Sequence, residues 1–158
     1  MTAAHEHGAT DQEAYRVAVA SIRRHSMDVG SWKHTEIGEL HPGLAELLAL
    51  EPSELPIASA YFTTESWWVI TTRRITGCYR GEVSSLDPRY GVDAEWGNFK
   101  GIKRSAAPNS PVTEVGTVTS AKADRPVRFE FETGKASMAP IYGCMFWTRV
   151  TRFHHAVG

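Results

Sequence analysis

Two cysteines and a few histidines are the residues of this chain whose types could support nucleophilic catalysis. Cys78 or Cys144 would supply the thiolate, and the candidate bases are His25, His34 and His41. A reactive thiol needs an electropositive, partly exposed environment. Both cysteines lie instead in apolar runs, which is typical of buried thiols. The sequence therefore predicts core cysteines and a protein that is not an enzyme, with an enzyme that uses a Cys or His centre as the alternative.

Paired histidines could hold a metal ion. They lie near the two termini, as His5 with His7 and His154 with His155. Terminal side chains are mobile, and adjacent histidines on a helix point about 100° apart, so neither pair favours chelation. The sequence predicts no metal site and no cofactor.

The segment 134–137 reads Gly-Lys-Ala-Ser and could be taken for a phosphate-binding loop. A Walker loop requires a glycine five residues before Gly134, where this chain has Phe129. The pattern favours a turn instead, with Ser137 as the N-cap and Pro140 in the first turn of the following helix.

Aromatic and acidic side chains suit protein recognition. A tryptophan could anchor an interface, and Trp147 is expected partly outside the buried stripe of its helix. Carboxylates in turns and at strand ends could surround such an anchor or mimic phosphates, which would suit an inhibitor of a nucleic-acid-degrading toxin. The predicted interface consists of Trp67, Trp68, Glu65, Asp87, Asp93, Glu95 and Trp147.

Size and charge limit the classes of function. With 158 residues, of which 42% are hydrophobic, the chain is expected to fold as a single globular domain. A net charge of −1 argues against bulk attraction to nucleic acid or to an anionic membrane. No signal-peptide core occurs, and no run approaches the roughly 18 apolar residues that span a bilayer. We therefore expect a cytoplasmic protein with a protein partner, no nucleic acid partner and no stable membrane association.

Strand-like segments predict six strands, at residues 57–62, 67–72, 75–79, 96–102, 112–119 and 127–132, and the alternation is cleanest in the last. The run Trp67-Trp68-Val69-Ile70 lacks alternation, so either both faces of its strand are covered or one tryptophan lies exposed at an edge. After Gly134 the period becomes helical. The inward stripe of that helix is predicted to consist of Met138, Ile141, Tyr142, Met145, Phe146 and Arg149.

Residues 1–40 are predicted to form a tail and a helical extension, and residues 41–158 the rest of the fold. Residues 1–9 are polar and aperiodic and are expected to be disordered. A capping box at residues 10–13 starts a helix that runs to about His25. Its apolar stripe is predicted at Ala14, Val17, Ala18 and Ile22. A second short helix is predicted at residues 42–50.

Three features follow one another between residues 41 and 75. A leucine-rich segment at 41–48 precedes the acidic-proline turn Glu51-Pro52-Ser53-Glu54, and a later strand ends in Val69-Ile70-Thr71-Thr72-Arg73-Arg74-Ile75. With the concluding helix, residues 41–149 resemble the bacterial pleckstrin-homology-like domains. The Thr-Thr-Arg-Arg-Ile element is similar to the point at which a strand of that superfamily passes through threonine, any residue and arginine into the next strand.

The resemblance implies an α+β fold. It would be a bent antiparallel β-barrel of about seven strands in two near-orthogonal sheets, capped by the C-terminal helix and preceded by a helical extension. It also implies binding of proteins, peptides or lipid headgroups, and small bacterial proteins of this kind include immunity proteins. The turn Thr63-Thr64-Glu65-Ser66 is acidic where phosphoinositide-binding members are basic. We therefore expect a non-catalytic, immunity-type inhibitor that neutralises a cognate toxin, with a small-ligand or lipid-headgroup module as the alternative.

Overall fold

Strand-forming residues occupy the middle of the chain and helices its two ends. The computed structural model describes the backbone of residues 2–100 and 113–157 and the side chains of residues 11–89, 91–100 and 113–147. The helices are α1 (Thr2–His25) and α2 (Met138–Val157). The strands are β1 (Thr35–Ile37), β2 (Pro56–Thr63), β3 (Ser66–Thr71), β4 (Ile75–Tyr79), β5 (Glu82–Leu86), β6 (Asp93–Glu95), β7 (Thr113–Thr119) and β8 (Val127–Glu132). The connections contain short 3-10 helices at Val29–Ser31, Pro42–Leu44, Pro88–Tyr90 and Gly134–Ser137.

The strands form two antiparallel sheets, ordered β1-β2-β3-β4-β5 and β6-β7-β8. The α+β class and the C-terminal helix are therefore confirmed, but the predicted closed barrel is wrong. After β5, the Asp87 carboxylate accepts a hydrogen bond from the Arg89 amide and starts a 3-10 helix that contains Pro88. Proline lacks the amide hydrogen that a ladder needs, so β5 ends there. Within the described ranges no ladder joins the two sheets.

Strand β8 packs across the first sheet and brings the two sheets together. Its alternating pattern buries Phe129 and Phe131, as the sequence predicts. The ring of Phe129 lies 5.4 Å from that of Trp68 on β3. At Gly77 on β4 the backbones approach so closely that a Cβ would lie 2.7 Å from the carbonyl oxygen of Arg128. A side chain at position 77 would therefore separate the sheets.

Both faces of β3 are covered, which explains why its sequence does not alternate. Trp68 and Ile70 belong to the main hydrophobic core. Trp67 and Val69 pack instead with Leu44 in a second core. The interpretation of a strand with two covered faces is therefore confirmed.

The leucine-rich segment contains a single 3-10 turn, Pro42–Leu44, so the helix predicted at residues 42–50 is wrong. Glycine has low helix propensity, and Gly43 lies so close to the Tyr61 ring that a Cβ would meet its carbons at 2.6 Å. The Gly43 amide also donates to His41 Nδ1 at 3.0 Å. These contacts hold a short turn on the sheet and leave Leu44 in the second core.

Helix α1 begins earlier than predicted, whereas α2 begins where predicted, with Pro140 in its first turn. Helix α1 begins at Thr2, so residues 2–9 are helical rather than disordered, and the capping box at residues 10–13 lies inside the helix. Helix α2 follows a 3-10 turn in which the Ser137 hydroxyl donates to the Gly134 carbonyl at 2.6 Å. Ser137 therefore closes the turn and directly precedes the first residue of the helix.

The buried face of α2 is rotated by about one residue from the prediction. Met145, expected inward, is 37% exposed, whereas Trp147, expected partly outward, is 1% exposed. The cause is the close packing of small residues, since a Cβ on Gly143 would lie 3.0 Å from Ile70 Cδ1. A prediction from hydrophobic periodicity places the buried face of a helix at its large apolar side chains. It therefore misses a buried face that small residues form.

The remaining stripe predictions are mostly correct. In α1 the core includes Ala14, Ala18 and Ile22 as predicted, but Val17 is 44% exposed and Val19 is buried in its place. In α2, Phe146 is buried, and the half-buried residues are Met138, Ile141 and Tyr142. The side chain of Arg149 lies outside those described.

The strand predicted at residues 96–102 is wrong over its described part. The strand in this region is β6, which ends at Glu95, and residues 96–100 form no strand. Gly97 takes a φ of 53°, and the next amide, that of Asn98, donates to the Glu114 carboxylate at 2.8 Å. The positive φ at Gly97 ends the extended conformation, and Asn98 then bonds to a side chain of β7 and not to its backbone, so the ladder does not continue. Residues 101, 102 and 112 lie outside the described ranges.

Strands β1 and β5 were not predicted, because neither carries a clear apolar alternation. A distant carboxylate holds the start of β1: Glu132, at the end of β8, accepts from the His34 amide at 2.7 Å and from the Thr35 hydroxyl at 2.6 Å. A contact between residues so far apart in sequence leaves no local signal.

A buried carboxylate joins the two segments on which the family resemblance rests. The side chain of Glu54 is fully buried and accepts hydrogen bonds from the Thr71 hydroxyl at 2.5 Å and from Arg74 Nε at 2.8 Å. It also accepts one from the Glu51 amide at 3.0 Å. We call Glu54, Thr71 and Arg74 the Glu54 clamp. The clamp ties the β3–β4 turn to the segment that leads into β2.

The residue beside the clamp connects the same turn to α1. Arg73 Nη2 lies 2.8 Å from a carboxylate oxygen of Asp11, which is buried. Thr72 completes the turn, since its hydroxyl accepts from the Leu55 amide at 3.0 Å. The Thr-Thr-Arg-Arg element therefore contacts both the first helix and the acidic-proline turn.

Replacement of Gly77 by alanine is expected to destabilise the fold by about 1–3 kcal/mol, because the added Cβ meets a backbone oxygen that cannot rotate away. The measurement is urea unfolding followed by tryptophan fluorescence. Gly30→Ala is the control, because a Cβ there meets nothing within 4 Å, and we expect a change below about 0.5 kcal/mol. Equal midpoints for the two variants would contradict the close approach of the sheets.

Glu54→Gln is expected to lower the free energy of unfolding by about 2–3 kcal/mol. This is less than the roughly 3–5 kcal/mol for breaking a fully buried ion pair, because Arg74 keeps 30% of its side chain exposed. Glu51→Gln, in the same turn but exposed, is the control and should change little. Chemical denaturation at neutral pH decides the matter, and equal effects of the two substitutions would contradict the clamp.

The contribution of the clamp should depend on pH. Burial raises the pKa of Glu54, but the hydrogen bonds from Thr71, the Glu51 amide and Arg74 outweigh burial, so the pKa lies below its ordinary 4.5. A carboxyl group whose pKa is lowered on folding stabilises the fold above its unfolded pKa, here 4.5. This contribution to stability is lost as the pH falls through the folded-state pKa. The stability gap between the wild type and Glu54→Gln should therefore be complete at about pH 7 and close towards about pH 2. Unfolding curves across this range test it, and a gap that stays constant would contradict the assignment.

Candidate binding groove

The three tryptophans of the predicted interface are buried. Trp67 is 4% exposed, Trp68 fully buried and Trp147 1% exposed. Their rings contribute to the two cores described above. None of the three indoles is exposed at the surface in this structure, and their role in an interface stays a prediction.

The four predicted interface carboxylates are spread over three elements. Glu65 is exposed in the β2–β3 turn, and Asp93 and Glu95 are exposed on β6, an edge strand of the second sheet. Asp87 pairs with Arg89 at 2.7 Å. Burial raises the pKa of Asp87, but hydrogen bonds from Arg89 outweigh it and hold that pKa below its usual range. With the indoles buried, these carboxylates do not surround a common anchor.

The predicted core cysteines are confirmed as buried thiols. Burial raises the pKa of the Cys144 thiol far above its usual range and also raises that of Cys78. Such thiols are poor nucleophiles. Among the described side chains, no group of three or more histidine, cysteine and acidic residues could hold a metal ion. The side chains of His5, His7, His154 and His155 lie outside those described.

An apolar groove opens where the end of α1 meets the start of α2. Its volume is about 350 Å³, within the range of pockets that bind ligands or anchoring side chains. The residues that line it are His25, Met27, Phe99, Lys100, Gly134, Lys135 and Met138. We call it the Met27 groove.

One wall of the groove is a hydrogen-bonded loop that displays apolar side chains. Met27 is 62% exposed and Val29 is 45% exposed. The indole of Trp32 donates to the Met27 carbonyl at 3.1 Å, and the Ser31 hydroxyl donates to the Asp28 carbonyl at 2.7 Å. Trp32 itself packs against the main core. The loop is therefore held in place while its apolar side chains face solvent.

Another part of the lining joins the segment after β6 to the start of α2. The Gly134 amide donates to the Phe99 carbonyl at 2.7 Å. Gly134 takes a φ of 72°, and a Cβ there would meet nothing within 4 Å. Phe99 packs against the main core, and Met138 begins α2. A backbone hydrogen bond between distant segments therefore holds this apolar part of the groove together.

The rim of the groove is cationic. His25 stacks on Tyr142 with ring centroids 3.9 Å apart, and its Nδ1 lies 2.8 Å from the Ser21 carbonyl oxygen. A carbonyl can only accept, so Nδ1 carries the hydrogen and Nε2 is left for another contact. Lys100 and Lys135 add two positive charges, and no lining residue is acidic. Lys135 forms an ion pair with Asp28 of the displayed loop.

A second cleft, of about 110 Å³, lies between the β4–β5 hairpin and the start of β8. Its Arg125 pairs with Glu82 at 3.2 Å, and the neighbouring Arg80 lies over the Tyr79 ring at 5.1 Å. The Met27 groove is larger than this cleft and presents exposed apolar side chains, so it is the stronger candidate for a binding site.

Sequence reasoning missed the Met27 groove. The available signal was a pair of apolar residues, Met27 and Val29, in the otherwise polar segment that follows α1. Such residues have no helical or strand period that would bury them, which favours display on a surface. The other wall could not be inferred, because Phe99 and Gly134 meet only in the folded chain.

Comparisons of the chain with models of known protein families, with curated proteins and with solved structures found no match. In the described parts of the chain no helix combines the length and the apolar composition needed to cross a bilayer. The geometry of the groove is therefore the guide to function.

Proposed function

We propose that this chain is a non-catalytic protein-binding protein whose partner docks in the Met27 groove. The observation that carries the proposal is the 62% exposure of Met27 on a loop that hydrogen bonds hold in place. Exposed apolar surface next to a groove is typical of interaction sites. Methionine is enriched at interfaces, because its flexible thioether adapts to the shape of a partner.

The order of the loop supports the same proposal. Association is weakened by the entropy lost when a flexible loop becomes ordered. Here the Met27 and Asp28 carbonyls already accept hydrogen bonds, from Trp32 and Ser31. A partner that buries Met27 and Val29 therefore needs to order mainly their side chains.

The scaffold we propose is pleckstrin-homology-like. Two features support it: strands β2 to β5 form a meander of consecutive antiparallel strands, and β6 to β8 form a second one that leads into α2. Helix α1 and strand β1 precede this unit. The Glu54 clamp adds support, because it joins the acidic-proline turn to the Thr-Thr-Arg-Arg element, the two segments that carry the resemblance.

The most concrete form of the function is an immunity-type inhibitor that binds and neutralises a cognate toxin. The groove would bury an apolar side chain of the toxin while the rest of the inhibitor covers or flanks its active site. A small-ligand receptor is the second candidate, because a volume of about 350 Å³ accommodates part of an apolar molecule.

Substitution of Met27 by glutamate is expected to weaken partner binding by about 2 kcal/mol or more, roughly thirtyfold, because it places a charge in the apolar contact. The partner to test is the protein whose gene lies next to the gene for this chain. A growth assay measures its toxicity and the rescue by this chain, and titration calorimetry then measures their binding. Val83→Glu is the matched control, because Val83 is 49% exposed on β5 and does not line the groove.

We expect the wild type and Val83→Glu to rescue growth and bind with nanomolar affinity, and Met27→Glu to do neither. The immunity form would be contradicted if the neighbouring protein is not toxic, or if this chain does not relieve its toxicity. Equal binding by the two variants would contradict the groove as the docking site.

A further inference from the structure

We infer that the protein segment which docks in the Met27 groove is acidic as well as apolar, and that Asp28 of this chain competes with it for Lys135. This inference rests on the proposed function and specifies the chemistry of the partner at that site.

The first support is the sign of the charge around the groove. Lys100 and Lys135 line it, no lining residue is acidic, and Asp28 beside the groove offsets one of the two positive charges. The whole chain carries a net charge of −1. The groove therefore differs in sign from the chain average, and a partner with carboxylates beside its apolar anchor complements it.

The second support is an ion pair made by a lysine of the groove. Asp28 lies between the displayed Met27 and Val29, and its carboxylate pairs with Lys135, which lines the groove. The Lys135 and Asp28 side chains are 54% and 60% exposed. An ion pair so exposed is weak, so a carboxylate of the partner can replace Asp28. Asp28 thus marks the position where an acidic group of the partner would bind.

The groove suits a protein segment better than a phosphate group. Bidentate recognition of a phosphate uses the forked guanidinium of arginine, and no arginine lines this groove. Its lysines flank apolar surface from Met27, Phe99 and Met138. An extended or helical segment with an apolar side chain and a neighbouring aspartate or glutamate satisfies both parts of the surface.

The test uses random linear peptides displayed on phage and selected on the full-length chain. Enriched peptides are expected to combine a large apolar residue with adjacent acidic residues. A synthetic copy of the most enriched peptide is then titrated against the variants. Asp28→Asn should bind about two- to fivefold more tightly, the range that the loss of an exposed competing ion pair allows. Asparagine tolerates the left-handed backbone of position 28, where φ is 51°, so the loop should keep its shape.

Two further variants make the test specific. Lys135→Gln should weaken peptide binding and remove most of the gain from Asp28→Asn when the two are combined, because both act on one charge. Asp93→Asn removes an exposed carboxylate of β6, outside the groove, and should leave the affinity unchanged.

The outcomes separate the inference from the proposed function. Peptides that depend on Met27 but lack acidic residues, or an Asp28→Asn variant that binds no better, would overturn the inference and leave the docking site in place. Enriched peptides that bind Met27→Glu as well as the wild type, or no enrichment at all, would overturn the docking site itself. Met27-dependent binding to anionic lipid vesicles without any acidic peptide would assign the groove to a membrane surface and overturn both.

Discussion

The rest of the fold depends on how the chain keeps the carboxylate of Glu54 charged in its interior. A buried carboxylate is stable only where donors replace the water it has lost. Its donors here are the Glu51 amide, the Thr71 hydroxyl and two nitrogens of Arg74. Because these donors come from both the segment before β2 and the turn after β3, satisfying one charge fixes two distant stretches of backbone against each other.

The same constraint reaches the Met27 groove through α1. Arg73 is adjacent to the clamp and pairs with Asp11, so the turn that holds Glu54 also holds one point on the helix. From Asp11 to His25 the helix rises roughly 20 Å, at about 1.5 Å per residue. A helix transmits orientation over such a length, and its apolar face rests on the main core along the way. The direction in which α1 ends, and hence where its loop displays Met27, follows from contacts made at its other end.

Sequence reasoning succeeded where the information is local. The alternation of β8 and the covered strand β3 could be predicted, because side-chain pattern and burial coincide there. It failed where small residues or distant partners decide the packing. Gly143 lets α2 approach Ile70 closely, with Trp147 turned inward, and the start of β1 depends on Glu132, which is distant along the chain at the end of β8. The candidate site belongs to the second kind, because its walls come from three separate segments and only the displayed loop leaves a trace in the sequence.

Net charge gives little guidance to the partners of such a protein. At physiological ionic strength charges interact over about 8 Å, so an approaching molecule responds to the nearest few side chains and not to the sum over the chain. Asp93 and Glu95 lie on the β6 edge, whereas Lys100 and Lys135 lie at the groove, and the overall −1 conceals this separation. The near-neutral composition argues against indiscriminate attraction to polyanions, yet it permits a local cationic rim around an apolar floor. A site of that kind selects by the combination of an apolar anchor with nearby negative charge, which neither a bare polyanion nor an uncharged apolar surface provides.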